Sequence, residues 1–124
     1  MKTLTIIGAV SALLSVILGA FASHGLKAVL DAQAISVFET GVRYQMYHAL
    51  AILLLPAMSN HARYPWLRRA GWFFVAGTVL FSGSLYALTL TSLSVFGPVT
   101  PLGGLCFMLG WGCLITALAK GTDQ

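Results

Sequence analysis

Residues 19–25 read GAFASHG, and the fold turns on whether this stretch is a cleavage site or the end of a helix that stays. Ala20-Phe21-Ala22 has the small-x-small pattern of a signal-peptide site, and it follows Lys2 and a long apolar run. A secretory core is about 7–15 apolar residues, whereas the uncharged run from Thr3 to Ala22 is about 20 long. Gly8, Ala12, Ser15, Gly19 and Ala22 also recur in alternating steps of four and three. That places small residues on one helix face, suited to close packing against another helix. A disposable leader needs no such face, so the run is expected to be a permanent membrane helix with His24 and Gly25 at its mouth.

The composition agrees with this. Charged residues are 8% of the 124 and apolar residues 58%, against roughly 25% charged in an ordinary soluble domain. So few charges cannot cover a water-soluble core, and the chain is expected to be an integral membrane protein of a single domain, 1–124. The net charge of +4 is not a nucleic-acid signature, because the seven Lys and Arg are scattered instead of gathered on one face. Cys106 and Cys113 stand one heptad apart. On one helix that is about 10.5 Å of rise, too far for a disulfide, and they read as packing thiols.

A spanning helix needs about 20 apolar residues, and four are expected, at about 3–23, 40–59, 70–90 and 100–119. With an even number of spans, Lys2, Arg63, Arg68, Arg69 and Lys120 share one side. Lys27 and Arg43 lie on the other, offset by Asp31 and Glu39. The positive-inside rule then puts both termini and the NHARYPWLRR loop in the cytoplasm. Tyr64, Trp66 and Trp72 fall where an interfacial aromatic belt belongs. Between the first two spans, Leu26, Val29, Leu30, Ala34, Val37 and Phe38 recur at three- and four-residue spacing, with Lys27, Asp31, Gln33 and Ser36 between them. This pattern predicts a short amphipathic helix on the outer surface before the chain turns inward near Thr40-Gly41. The expected fold class is thus an all-α membrane protein, a four-transmembrane-helix bundle with that surface helix between helices 1 and 2.

On this topology the unusual residues collect in the outer leaflet. His24 ends span one, Glu39, Arg43, Tyr44, Gln45, Tyr47 and His48 begin span two, Ser82, Ser84 and Tyr86 lie in the outer half of span three, and Pro98, Thr100 and Pro101 open span four. Polar groups in lipid need partners, and ionisable ones often mark function. His24, Glu39, Arg43, Tyr44, His48, Ser84 and Tyr86 are therefore a candidate polar pocket open to the outer face. The competing reading is a packing network, in which Glu39 pairs with Arg43 one turn on and Tyr44 stacks on His48. Gly19, Gly77, Gly103, Gly104 and Gly110 are candidate sites of close helix approach.

Catalytic and metal chemistry find little support. His24 and His48 sit at different depths, which does not suit a haem, and zinc needs three or four ligands. Ser82 and Ser84 have no nucleophile-elbow frame around them. His61 reads as a solvated loop residue. No metal and no cofactor are expected.

The segments GAFASHG, TGVRYQMYHALAIL, GTVLFSGSLYAL and TPLGGLCFMLGW fall in order along the chain. Together they resemble the domain of unknown function 423 family, small four-helix membrane proteins that include bacterial YgdD-like inner-membrane proteins and resemble the animal transmembrane protein 256. Motif positions carry over as Gly19, His24, Gly41, Tyr44, His48, Gly77, Ser84, Tyr86, Pro101, Gly103, Gly104, Gly110 and Trp111. Ala22-Ser23 departs from the Gly-Ala expected before the histidine. The resemblance implies the four-span fold and an inner-membrane location, and it implies no reaction.

Three function classes follow. The first is a non-enzymatic structural or accessory protein, either a homo-oligomer or a subunit beside a larger membrane complex, with membrane lipids as surroundings and no nucleic-acid partner. The alternative is a binder or transporter of a small molecule or lipid through the outer-leaflet pocket, although four spans are few for alternating access. A membrane enzyme using His48 as acid or base is the minor class.

Overall fold

A computed structural model describes residues 1–122. Helix α1 runs Lys2–Ser23 and is followed by a single 3-10 turn, Leu26–Ala28. Helix α2 runs Ala32–Leu54 and tightens into a 3-10 turn over Leu55–Met58. Helix α3 (Tyr64–Gly77), a π turn (Thr78–Ser82) and helix α4 (Gly83–Thr91) form one continuous rod. After a 3-10 turn at Ser94–Phe96, helix α5 runs Val99–Lys120.

Three of these rods are long and apolar enough to cross a membrane: Lys2–Ala28, Tyr64–Thr91 and Ser94–Lys120, at 27, 28 and 27 residues. The rod built on α2 is as long, but Glu39, Arg43, Gln45 and His48 dilute its apolar content. Packing is pairwise: α1 lies on α2, α3 lies on α5, and α2 joins the two pairs through the π turn and α4.

The separate amphipathic surface helix expected between the first two spans is not formed. Its first part is only the 3-10 turn, and its remainder is the beginning of α2. Asp31 is the reason for the boundary. Its side chain accepts a hydrogen bond from the Ala34 backbone N–H at 2.8 Å, an N-cap that starts the helix at Ala32. From there α2 passes through Thr40 and Gly41 without a break. Leu26 and Phe38 of the amphipathic pattern are buried, while Val29 is 74% exposed.

Two hydrophobic clusters occupy the two ends of the bundle. One joins Leu4, Ile52, Leu55, Leu67, Phe74, Phe107 and Leu114, among others. The other, smaller, joins Ala22, Leu26 and Phe38, with Val42 and Tyr86 packed on it. Arg63 ties the first end together. Its backbone N–H donates to the Ala117 carbonyl at 2.9 Å, which also accepts from the Gly121 N–H at 3.2 Å, and its Nε donates to the Gly121 carbonyl at 3.0 Å, just past the end of α5.

The π turn marks where the third rod meets both neighbours. A Cβ on Gly103 of α5 would run into the Phe81 backbone nitrogen and lie 2.6 Å from the Phe81 Cα, so only glycine permits this approach. One residue on, the Ser82 hydroxyl donates to the Gly41 carbonyl of α2 at 2.7 Å.

Candidate functional site

Between the two hydrophobic clusters α2 presents a layer of polar side chains, each bonded to a different neighbour. His48 is 4% exposed. Its Nδ1 lies 2.7 Å from the Tyr44 carbonyl, one turn back, and its Nε2 lies 3.1 Å from Trp111 Nε1 on α5. A carbonyl only accepts and an indole N–H only donates, so Nδ1 carries the proton and Nε2 accepts. This pairing fits the neutral ring. The imidazole also stacks on Phe107 with centroids 3.6 Å apart and planes 8° from parallel. Phe74 and Trp111 close its other sides.

Gln45, one turn toward the other cluster, bridges two helices. Its Nε2 donates to the Ser11 carbonyl of α1 at 3.0 Å, and its Oε1 accepts from the Tyr86 hydroxyl of α4 at 2.6 Å. The Tyr86 ring packs on Phe38 with centroids 4.7 Å apart, and a Cβ on Gly41 would come within 2.8 Å of it. Ser84 donates to the Phe81 carbonyl at 2.8 Å, so Thr100 of α5 is the donor in the 2.5 Å contact between the two hydroxyls. Among the described residues, Thr78 Oγ1 is the buried side-chain polar atom left without a partner.

The residues expected to form an outer pocket therefore separate into two groups. Tyr44, His48, Ser84 and Tyr86 take part in the layer, Tyr44 through its carbonyl and through stacking on His48 at 6.2 Å and 21°. His24, Glu39 and Arg43 do not join them. His24 is the exposed residue that ends α1. The expected Glu39–Arg43 pair is absent among the described residues: Arg43 Nη2 donates to Thr40 Oγ1 at 3.1 Å, on its own helix.

The glycines divide similarly. A Cβ on Gly77 would run into the Phe107 ring, and one on Gly110 would lie 2.6 Å from the Phe74 ring, so with Gly103 these let α5 and the third rod touch. At Gly19 the nearest atom would be 3.4 Å away and at Gly104 4.0 Å, ordinary contact with room for a methyl.

Chemically, the layer joins helices. Both His48 nitrogens are engaged, leaving no lone pair directed at a substrate, and general-base use would require breaking the Trp111 bond first. Among the described residues no three of His, Cys, Asp and Glu gather as a metal set. The partners that sequence reasoning passed over are Ser11, which acts through its carbonyl, and Trp111 as the donor to His48. Gln45, Ser82 and Thr100 stood out as polar without showing their bonds. A polar residue placed mid-helix in an apolar segment was the available signal for Gln45. None marked Ser11, because every residue carries a carbonyl.

Comparison with known proteins places this arrangement in a family. The family described as protein of unknown function (DUF423) matches residues 18–104. The chain is 43% identical over 121 residues to UPF0382 membrane protein YwdK of Bacillus subtilis (strain 168), covering 97% of this chain and 98% of that one. UPF0382 membrane proteins of Staphylococcus aureus (strain bovine RF122 / ET3-1) and Staphylococcus haemolyticus (strain JCSC1435) are 43% and 42% identical over 120 residues, each covering 97% of this chain and 98% of the relative. No solved structure matches the chain. The chain belongs to the DUF423 family, whose curated relatives are named membrane proteins without a stated activity.

Proposed function

We propose that this DUF423 protein is a four-span inner-membrane protein with both termini in the cytoplasm, acting as a non-enzymatic structural or accessory component that assembles with itself or beside a larger membrane complex. The observation that carries this reading is the saturation of the polar layer. Gln45, His48, Ser82 and Ser84 are buried, and each bonds a neighbouring helix. Residues that looked like a site are used in holding helices together, and the outward surface is apolar: Ile6, Leu13, Val16, Val79, Met108 and Ile115 are all more than half exposed.

Under this reading α2 crosses the membrane with the other three rods, its polar side chains facing partners instead of lipid. The orientation is supported by Lys2, Arg63, Arg68, Arg69 and Lys120, which stand at one end of the rods. Crosslinking in native membranes, followed by native mass spectrometry of the mildly solubilised protein, tests the role. The expected result is a defined oligomer or a stoichiometric second protein. A monomer that recovers no partner contradicts it.

One observation favours the second reading, a small-molecule binder at the outer mouth of α2. The Glu39 carboxylate is half-buried and has no hydrogen bond or ion pair among the described residues. A ligand held there would leave the Glu39→Gln protein folded and unable to bind, whereas unchanged ligand retention removes the reading.

A further inference from the structure

The first turns of α3 carry a feature that the polar layer does not use. Pro65, Arg68, Arg69, Trp72, Phe73 and Ala76 line an open hollow of about 530 Å³ along one face of the rod. The Arg69 guanidinium carbon lies 4.5 Å from the centroid of the Trp66 ring, a cation–π contact that restrains a long side chain. Arg68 and Arg69 are both exposed, and neither has a carboxylate partner among the described residues. The acids described, Asp31 and Glu39, lie in the N-cap and first turns of α2, at the opposite end of that helix from its connection to α3. Two adjacent guanidiniums with no counter-charge among the described residues form a site for an anion.

The hollow then changes character along the helix. From Arg68 to Ala76 is about 12 Å of rise, and over that distance the lining passes from guanidinium to indole, phenyl and methyl. An anion with an apolar tail matches both halves, and a free anion matches only the first. We propose that this hollow binds an anionic phospholipid, its phosphate between Arg68 and Arg69 and the upper part of one acyl chain along Trp72, Phe73 and Ala76. The proposal rests on the reading of the third rod as a membrane span with Arg68 and Arg69 at headgroup level, where basic residues attract anionic lipid. It is independent of the accessory role.

The test is native mass spectrometry of the full chain released from nanodiscs holding equal phosphatidylglycerol and phosphatidylcholine, for the wild type, R68Q/R69Q, Ala76→Phe and Lys120→Gln. The wild type is expected to retain one phosphatidylglycerol in preference to phosphatidylcholine. R68Q/R69Q loses that preference by about 25-fold, about fivefold per arginine, with circular dichroism unchanged because both side chains are exposed. Ala76→Phe fills the apolar half and lowers retention with the arginines intact. Lys120→Gln, at the same end but outside the hollow, retains the wild-type preference, and millimolar inorganic phosphate does not displace the lipid. Equal preference in R68Q/R69Q and wild type overturns the proposal. So does an equal loss in Lys120→Gln, which would mean bulk charge, or displacement by inorganic phosphate, which would mean a headgroup-only site. A chain that does not span retains neither lipid and overturns the premise; a spanning chain without this site retains both equally.

Discussion

Helix α2 carries two polar stretches a few turns apart that behave differently. At Gln45 and His48 every polar atom of the side chain that can reach a neighbour has one, on α1, α4, α5 or the preceding turn. At Glu39 and Arg43 the one side-chain hydrogen bond among the described residues is Arg43 to Thr40 on the same helix. The residue types in the two stretches look equally conspicuous in an apolar chain. The difference lies in what faces them. The first stretch looks onto Ser11, Tyr86 and Trp111, whereas around the second it is Phe38, Gly41 and Val42 that pack on the neighbouring helices, leaving Glu39 half-buried and Arg43 exposed. An ionisable residue in an apolar chain therefore becomes structural or available according to the complement on the facing helix.

Substitutions can break this contrast in graded ways. The largest effect is expected at the backbone contact beneath the layer. Gly103→Ala pushes a methyl into the Phe81 backbone, which cannot yield as a side-chain tip would, and should cost more than about 3 kcal/mol; thermal unfolding in mild detergent reads this directly. Gly104→Ala, next in sequence with open space around it, should stay within about 0.5 kcal/mol. Next comes His48→Ala, which removes the stack on Phe107 and leaves the Trp111 N–H unpaired. A loss of about 2–3 kcal/mol is expected, seen as a lowered unfolding midpoint and a shifted Trp111 emission. Gln45→Leu keeps the volume and cuts the bridges to Ser11 and Tyr86. Interhelical bonds in membranes average about 0.6 kcal/mol, so about 1 kcal/mol should be lost. Smallest are Glu39→Gln and Arg43→Gln, each expected within about 0.5 kcal/mol. A large loss at either would erase the contrast between the two stretches.

Much of the fold was legible because lipid-facing helices have a one-dimensional signature. The uncharged runs beginning at Thr3, Ala70 and Leu102 lie within the three rods long and apolar enough to cross a membrane. The start of α2 was misplaced because the amphipathic spacing of Leu26 to Phe38 continues smoothly across a real break. The Asp31 cap that marks the break is a local signal that the apolar period does not contain. The π turn left no periodic trace, since it is the approach of Gly103 and the Ser82–Gly41 bond that coincide there. Of the layer, His48, Ser84 and Tyr86 stood out by residue type. Their pairings did not, because Trp111 lies 63 positions from His48 and Tyr86 lies 41 from Gln45. Contacts at such separations exist only once the helices are assembled.

The central claim is that these polar side chains bind helix to helix, and the 2.6 Å bond between Tyr86 and Gln45 isolates it most cleanly. Tyr86→Phe removes only the hydroxyl, and Gln45→Leu removes its acceptor at nearly constant volume. A double-mutant cycle of unfolding free energies in detergent should give a coupling of about 0.6 kcal/mol, with Tyr86→Phe costing little in the Gln45→Leu background. Strict additivity, a coupling below about 0.3 kcal/mol, would contradict the account and return these residues to the status of a site awaiting its ligand.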